Sequence, residues 1–322
     1  MPPPVYHRFL DSAYTLSDRV EMIHPARFLF NAGSTPKAWN EKMLADPHLK
    51  VEFYEPDASK VFPGTDIKGG VAITYRDASH DFGAIGTFTP FEELNTIKQK
   101  VCERTEFRPL SEIVLTAYAY HFTEVLYQEH PELRGRLSKG HDYDLKSNVL
   151  DRLPEVLLEQ KPKDGREYIK IYGITGKARI FRWIRKDYVN EPKNLNYWKV
   201  VLPKSNGSGA LGEVLATPLI GEPLIGSTET FISVGCFETQ AEAEACLKYL
   251  KTKFARAMLG ILKVTQDNPP DRWAYVPLQD FTAESGIDWG KSVAEIDRQL
   301  YKKYGLSDDE VAFIESKVEE MA

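Results

Sequence analysis

From Arg179 to Lys186 the chain alternates with a period of two. Arg179, Phe181, Trp183 and Arg185 fall on one face of an extended strand, and Ile180, Arg182, Ile184 and Lys186 on the other. Just upstream, Tyr168, Lys170 and Tyr172 alternate in the same way with Ile169 and Ile171. Two such segments in succession require a sheet in which cations and aromatics are interleaved. That pattern suits phosphate neutralisation combined with stacking on bases or sugars. It equally suits a solvated sheet face backed by ordinary aromatic core residues.

Charge along the chain bears on the choice. Twelve basic and four acidic residues lie between Lys161 and Lys204, a local excess of +8. The whole chain of 322 residues carries a net charge of −6, which leaves −14 for the rest. An asymmetry of this size points to an anionic partner for the middle of the chain. The acidic total argues against a protein coated in nucleic acid, but not against one that holds it in a local groove.

With 42% hydrophobic and 27% charged residues, the chain has the balance of a globular protein. No apolar run approaches the ~18 residues that a membrane span needs. The start, Met1-Pro2-Pro3-Pro4, lacks the basic and apolar regions of a signal peptide. Cys102, Cys236 and Cys246 cannot all pair and form no Cys-x-x-Cys, which fits a reducing cytoplasm.

Residues 1–80 alternate helix and strand signals. Helical spacing runs over 5–17 and 36–44, and strand patterns over 20–23, 49–54 and 70–75, the last reached through Gly69-Gly70. About three strands are too few for a sheet that stands alone, so this slab reads as part of something larger. Residues 91–103 and 111–128 read as helices, and 129–165 as a polar, loop-rich segment. Strands return at 168–172, 179–186, 197–202 and 229–235. Thr239-Gln240-Ala241-Glu242 is a capping box that opens one long helix to about Lys263, with Lys248, Lys251 and Arg256 along its basic side. Ser292 with Glu295, and Ser307 with Glu310, open two more helices. The expected fold class is therefore α/β followed by α+β, with a boundary between 85 and 110.

Several short motifs invite chemistry. Gly207-Ser208-Gly209-Ala210-Leu211-Gly212 matches Gly-x-Gly-x-x-Gly after a strand. A dinucleotide site needs a helix straight afterwards, and Pro218, Gly221, Pro223 and Gly226 follow instead. The segment reads as a surface loop that Lys204 and Asn206 keep within reach of a ligand backbone. Asp57, Asp66 and Lys68 spell the outline of a Mg²⁺-dependent nuclease, two carboxylates with a lysine beside them. Gly64, Gly69 and Gly70 argue there for a turn into a strand. His141-Asp142-Tyr143-Asp144 offers cation ligands without a second cluster. There is no His-Glu-x-x-His, Gly-x-Ser-x-Gly or Gly-Lys-Ser/Thr signature.

Two blocks carry a family resemblance. Val20-Glu21-Met22-Ile23-His24-Pro25-Ala26-Arg27-Phe28-Leu29 and Val61-Phe62-Pro63-Gly64-Thr65-Asp66-Ile67-Lys68-Gly69-Gly70-Val71-Ala72-Ile73 resemble restriction–modification DNA methyltransferases that modify the N6 of adenine. The match is to the part just after their Asn-Pro-Pro-Tyr loop. Phe231-Ile232-Ser233-Val234-Gly235-Cys236-Phe237-Glu238-Thr239, with Lys251-Thr252-Lys253-Phe254 and Val276-Pro277-Leu278, looks like their target-recognition region.

The resemblance implies that residues 1–90 are the C-terminal part of a Rossmann-like methyltransferase sheet and 91–322 a recognition domain that grips double-stranded DNA. It implies that the S-adenosylmethionine loop and Asn-Pro-Pro-Tyr belong to a preceding cofactor half or a separate cofactor-binding subunit, since neither occurs here. No catalytic residue and no metal ligand is then expected in this fragment, which alone should not methylate. Phe62 matches the family's aromatic that packs on the flipped adenine. Lys177, Arg179, Arg182, Arg185, Lys186 and Lys204 are the expected DNA contacts. The rival expectations are the nuclease on Asp57, Asp66 and Lys68, and a non-catalytic subunit of a restriction complex.

Overall fold

The computed structural model describes residues 5–321 except 32, 33, 66, 68 and 264. The chain divides into two compact units, Met1–Asn95 and Thr96–Ala322.

The first unit runs α1 (Tyr6–Leu16), β1 (Arg19–Pro25), α2 (Lys37–Ala45), β2 (Leu49–Glu55) and β3 (Val71–Asp77). Both outer strands pair antiparallel with β3, in the order β1–β3–β2. Strands β1 and β2, linked through α2, therefore run parallel but not side by side. β3 occupies the slot between them, a split β-α-β arrangement. This departs from the adjacent parallel strands of a Rossmann-like sheet. The turn that returns the chain into the slot uses Gly69 and Gly70 at φ +87° and +78°, conformations that favour glycine. The core is Leu10, Phe28, Leu29, Trp39, Met43, Leu49 and Ala72. Among the described residues, β3 is the only strand paired to β1, so the other edge of β1 is open.

Helix α3 (Glu92–Cys102) carries the chain into the second unit. Here the single helix expected over 111–128 does not form. Leu110–Ile113 is a 3₁₀ turn, Val114–Leu115 is a short strand β4, and only Glu124–Glu129 is helical (α4). Val114 and Leu115 pair with Val234 and Ser233, and the Phe122 amide bonds the Tyr143 carbonyl. Tertiary pairing has overridden the local period.

The segment expected to be a polar loop region contains α5 (Val149–Arg152) and much of the core. Leu133, Leu145, Val149, Leu150, Leu153 and Leu157 are buried together with Ile169, Ile171 and Ile184. Those isoleucines come from β5 (Tyr168–Thr175) and β6 (Ala178–Arg185). β7 (Trp198–Pro203), β8 (Leu219–Gly221), β9 (Ile225–Ser227) and β10 (Phe231–Phe237) follow. They build two sheets, β4–β10–β7–β8 and β6–β5–β9. Tyr172, Val201, Ile225 and Phe231 form a common cluster that joins the two sheets. The result is a mixed α/β architecture with several sheets.

The long helix expected from Thr239 is two helices, α6 (Gln240–Lys251) and α7 (Lys253–Gly260). Thr252 ends the first and caps the second: its hydroxyl donates to the Tyr249 carbonyl (2.6 Å) and accepts from the Ala255 amide (3.1 Å). α8 (Val293–Tyr304) and α9 (Asp308–Lys317) complete the unit. All three capping boxes read in the sequence are formed reciprocally. No helix among the described residues is long and apolar enough to cross a membrane.

Candidate nucleic-acid interface

β5 and β6 form a hairpin through a two-residue turn, Gly176-Lys177, with Gly176 at φ +60°. The register sets Tyr168 opposite Arg185, Lys170 opposite Trp183, Tyr172 opposite Phe181 and Ile174 opposite Arg179. Alternation puts all eight on one face. β6 is the outer strand of its sheet, and Leu158 bridges to Trp183 along its other side.

Cations and rings on that face form a continuous ladder. The Lys161 ammonium lies 5.5 Å from the Trp183 ring centroid, and Lys170 lies 5.1 Å from Trp183 and 5.9 Å from Phe181. Phe181 then meets Tyr172 at 4.9 Å, and Tyr172 meets Phe231 at 4.5 Å. Arg179 closes the series, 5.7 Å from Phe231, while its guanidinium donates to the Thr217 carbonyl at 2.7 Å. Phe181 is 37% exposed, so part of its ring is open to a stacking partner. Ring quadrupoles hold the ammonium groups in place without neutralising them. Their charge stays available to an anion.

The six basic residues expected to contact DNA divide into two groups. Arg185 is sandwiched by carboxylates: it pairs with Glu129 and with Asp187 (2.5 Å). Hydrogen bonds to Asp187 and Glu129 push its pKa further up, and Arg185 in turn holds the Glu129 carboxyl low. Lys186 pairs with Glu191 (3.2 Å) and Glu167 (3.7 Å), and Arg182 with Glu159 (3.1 Å). The cleft of about 430 Å³ beside them is lined by Arg166, Arg185 and Lys186 but equally by Glu167, Asp187 and Glu191. These three cations are already compensated.

Among the described residues, Lys177, Arg179 and Lys204 have no ion-pair partner. Lys177 is exposed at the hairpin turn, and the Lys204 ammonium sits 5.3 Å from the half-exposed ring of Tyr118. Lys161 and Lys170, absent from the expected contacts, are central to the ladder. The signal for Lys170 is the ring directly opposite it on the neighbouring strand, which only the register makes visible. On the long-helix side the expected basic stripe dissolves. Arg256 is buried and donates to the Gly212 carbonyl (2.9 Å), and Lys248 donates to the Trp289 carbonyl (2.8 Å).

Phe62 lies in the turn after a 3₁₀ segment, Ala58–Lys60, and is 41% exposed. Its amide bonds the Ala58 carbonyl at 2.8 Å, and its own carbonyl accepts the Thr65 hydroxyl at 2.7 Å. Asp57 caps that same 3₁₀ segment, accepting the Ser59 amide (3.1 Å) and hydroxyl (2.6 Å), and these bonds hold its carboxyl below the usual range. Asp66 and Lys68, its partners in the nuclease outline, lie outside the described residues. Among the described residues no group of three His, Cys, Asp or Glu side chains could hold a metal ion. His141 is likewise occupied: its Nδ1 lies 2.7 Å from Asp144, which also meets Lys146 at 3.3 Å. Gly207–Gly212 wraps the carboxylate of Glu213 instead of opening a helix.

No family model matches the chain, and no curated protein does. Among solved structures it is similar to the crystal structure of the type IIG restriction endonuclease BpuSI, at 11% identity and a TM-score of 0.38. The alignment covers 97% of this chain and 48% of that one, so the chain spans about half the length of that protein. A TM-score this low transfers neither fold nor activity.

Proposed function

We propose that the chain is the DNA target-recognition portion of a site-specific adenine-N6 DNA methyltransferase of a restriction–modification system. The observation that carries this reading is the cation–aromatic ladder of Lys161, Lys170 and Arg179 with Trp183 and Phe181, which spans β5 and its outer neighbour β6 and whose cations form no ion pair among the described residues. The sequence blocks around Phe62 and Phe231 add the family. In this reading the β1–β3–β2 unit docks beside the cofactor-bearing half, and the open edge of β1 offers a strand for that pairing. Phe62 is the ring that receives the flipped adenine, and its exposure on a turn suits the role. S-adenosylmethionine belongs to a separate cofactor-bearing half or subunit. No residue here matches the family's glycine-bearing loop, and no methyl-transfer step is assigned to this chain.

Titration of a fluorescent duplex at several salt concentrations tests the reading. With Lys161, Lys170, Lys177, Arg179 and Lys204 as the phosphate contacts, log K should fall with log salt at a slope of about −4.5. An absence of duplex binding at low salt, or a flat salt response, rejects it.

A further inference from the structure

Residues 206–217 form a strap whose glycine-rich tip is built like an anion site. Gly207, Gly209 and Gly212 all have positive φ, at +64°, +96° and +79°. Alternation of this kind turns successive amides toward one point, the geometry of a nest. The group at that point is the chain's own Glu213. One carboxylate oxygen accepts the Ser208 amide (2.7 Å) and hydroxyl (2.5 Å), and the other accepts the Gly209 amide (3.0 Å). The Lys263 ammonium, almost wholly buried, lies 3.5 Å from that second oxygen. Partial burial opposes ionisation of Glu213, yet the amides of Ser208, Gly209 and Ala210 outweigh it and hold the pKa at about 2.

The nest does not owe its shape to Glu213 alone. Asn206 closes the base of the strap, donating to the Val214 carbonyl (2.7 Å) and accepting from the Ala216 amide (2.7 Å). Lys263 also donates to the Asn206 carbonyl (2.8 Å), and Arg256 to the Gly212 carbonyl (2.9 Å). Removing the carboxylate therefore leaves amides and a buried ammonium aimed at an emptied point. The outer side is accessible, because Gly207, Ser208 and Ala210 are exposed. At its far end the strap holds Arg179 of the ladder through the Thr217 carbonyl, and Thr217 itself is at φ +36°, a strained conformation for a β-branched residue.

We infer that the strap is a phosphate-binding site, occupied in the free protein by the Glu213 carboxylate and taken over by a phosphate oxyanion that displaces it. The identity of the phosphate as a DNA backbone group rests on the function proposed above; the anion site itself does not. A tethered carboxylate competes at a high effective concentration, so free phosphate should not enter the unaltered protein readily.

The test titrates the full chain, labelled with ¹⁵N, with inorganic phosphate at constant ionic strength. In the unaltered protein the Ser208 and Gly209 amide resonances should hardly move. In Glu213→Ala they should move saturably, with an apparent affinity at least about tenfold higher, and a further Lys263→Met should abolish the effect. If Glu213→Ala does not fold, Glu213→Gln replaces it, with the same resonances expected to shift. Resonances that stay put in the folded variant overturn the proposal. A short duplex added to the unaltered protein identifies the source. Movement of Ser208 and Gly209 assigns the site to the DNA backbone, and duplex binding without such movement overturns the displacement of Glu213 by a backbone phosphate. A duplex that does not bind at all rejects the DNA reading and leaves the phosphate result standing.

Discussion

The ammonium of Lys170 sits 5.1 Å from the ring of Trp183, its direct cross-strand partner in the β5–β6 hairpin. The contact orders a cation that forms no ion pair among the described residues. Lys170→Ala should therefore weaken duplex binding and reduce the magnitude of the salt slope by about 1. Arg185→Ala should do the opposite of what its charge suggests. Its guanidinium is committed to Glu129 and Asp187, so the slope should stay unchanged while the melting temperature falls. Anisotropy titrations at four salt concentrations, with a melting curve for each variant, separate the two. A larger slope change in Arg185→Ala than in Lys170→Ala would contradict the division of cations made above.

That division also shows what could and could not be read from the sequence. Alternation over 179–186 is a local property, and the strand and its two faces were legible from it. The partner of Arg185 was not, because Glu129 lies 56 positions away and meets it only through the tertiary fold. The break in the long helix fails for the same reason. Thr252 is a residue type favoured at N-caps but sits within unbroken helical spacing, and the carboxylate that also caps the second helix belongs to Asp297, 44 positions from Lys253. The 111–128 segment was misread because apolar spacing cannot distinguish a buried helix from short strands that pair elsewhere. Capping boxes, whose donors and acceptors lie three residues apart, were all read correctly.

Phe62→Ala should leave the stability of the chain within about 0.5 kcal/mol, since an exposed ring on a turn contributes little packing. Under the proposed function, the same change in the complete enzyme should suppress extrusion of the target adenine. Chemical denaturation measures the first effect, and the fluorescence of 2-aminopurine at the target position measures the second. Unaltered fluorescence with unaltered stability would remove Phe62 from the site.

Gly70→Ala should destabilise the first unit by about 1–3 kcal/mol. Gly70 is at φ +78°, and a Cβ there would lie 2.8 Å from the Pro56 Cα and overlap the Glu55 carbonyl oxygen. Both obstacles are backbone, which cannot swing aside as a side chain would. Gly64→Ala is the control, because a Cβ at Gly64 meets nothing within 4 Å although its φ is +79°. The shift in denaturation midpoint of the first variant should exceed that of the second. Equal shifts would mean that only the dihedral angle matters.

Asp297 caps α7 from a buried position, accepting the amides of Lys253 (3.0 Å) and Phe254 (2.9 Å). Burial raises its pKa to about 6, against the lowering effect of those amides and of Arg256. In the unfolded chain an Asp titrates near 3.9, at about two units lower. Between those values the folded state binds more protons than the unfolded one, so this group makes stability fall as pH rises. The loss accumulates from about pH 4 to pH 6 and is complete above the folded value, at about 3 kcal/mol. Asp297→Asn keeps an acceptor and removes the titration. Its stability relative to the unaltered chain should therefore improve as pH rises from 4 to 7. Unfolding free energies of both proteins at four pH values check this, and two parallel curves would show that Asp297 does not titrate in this range.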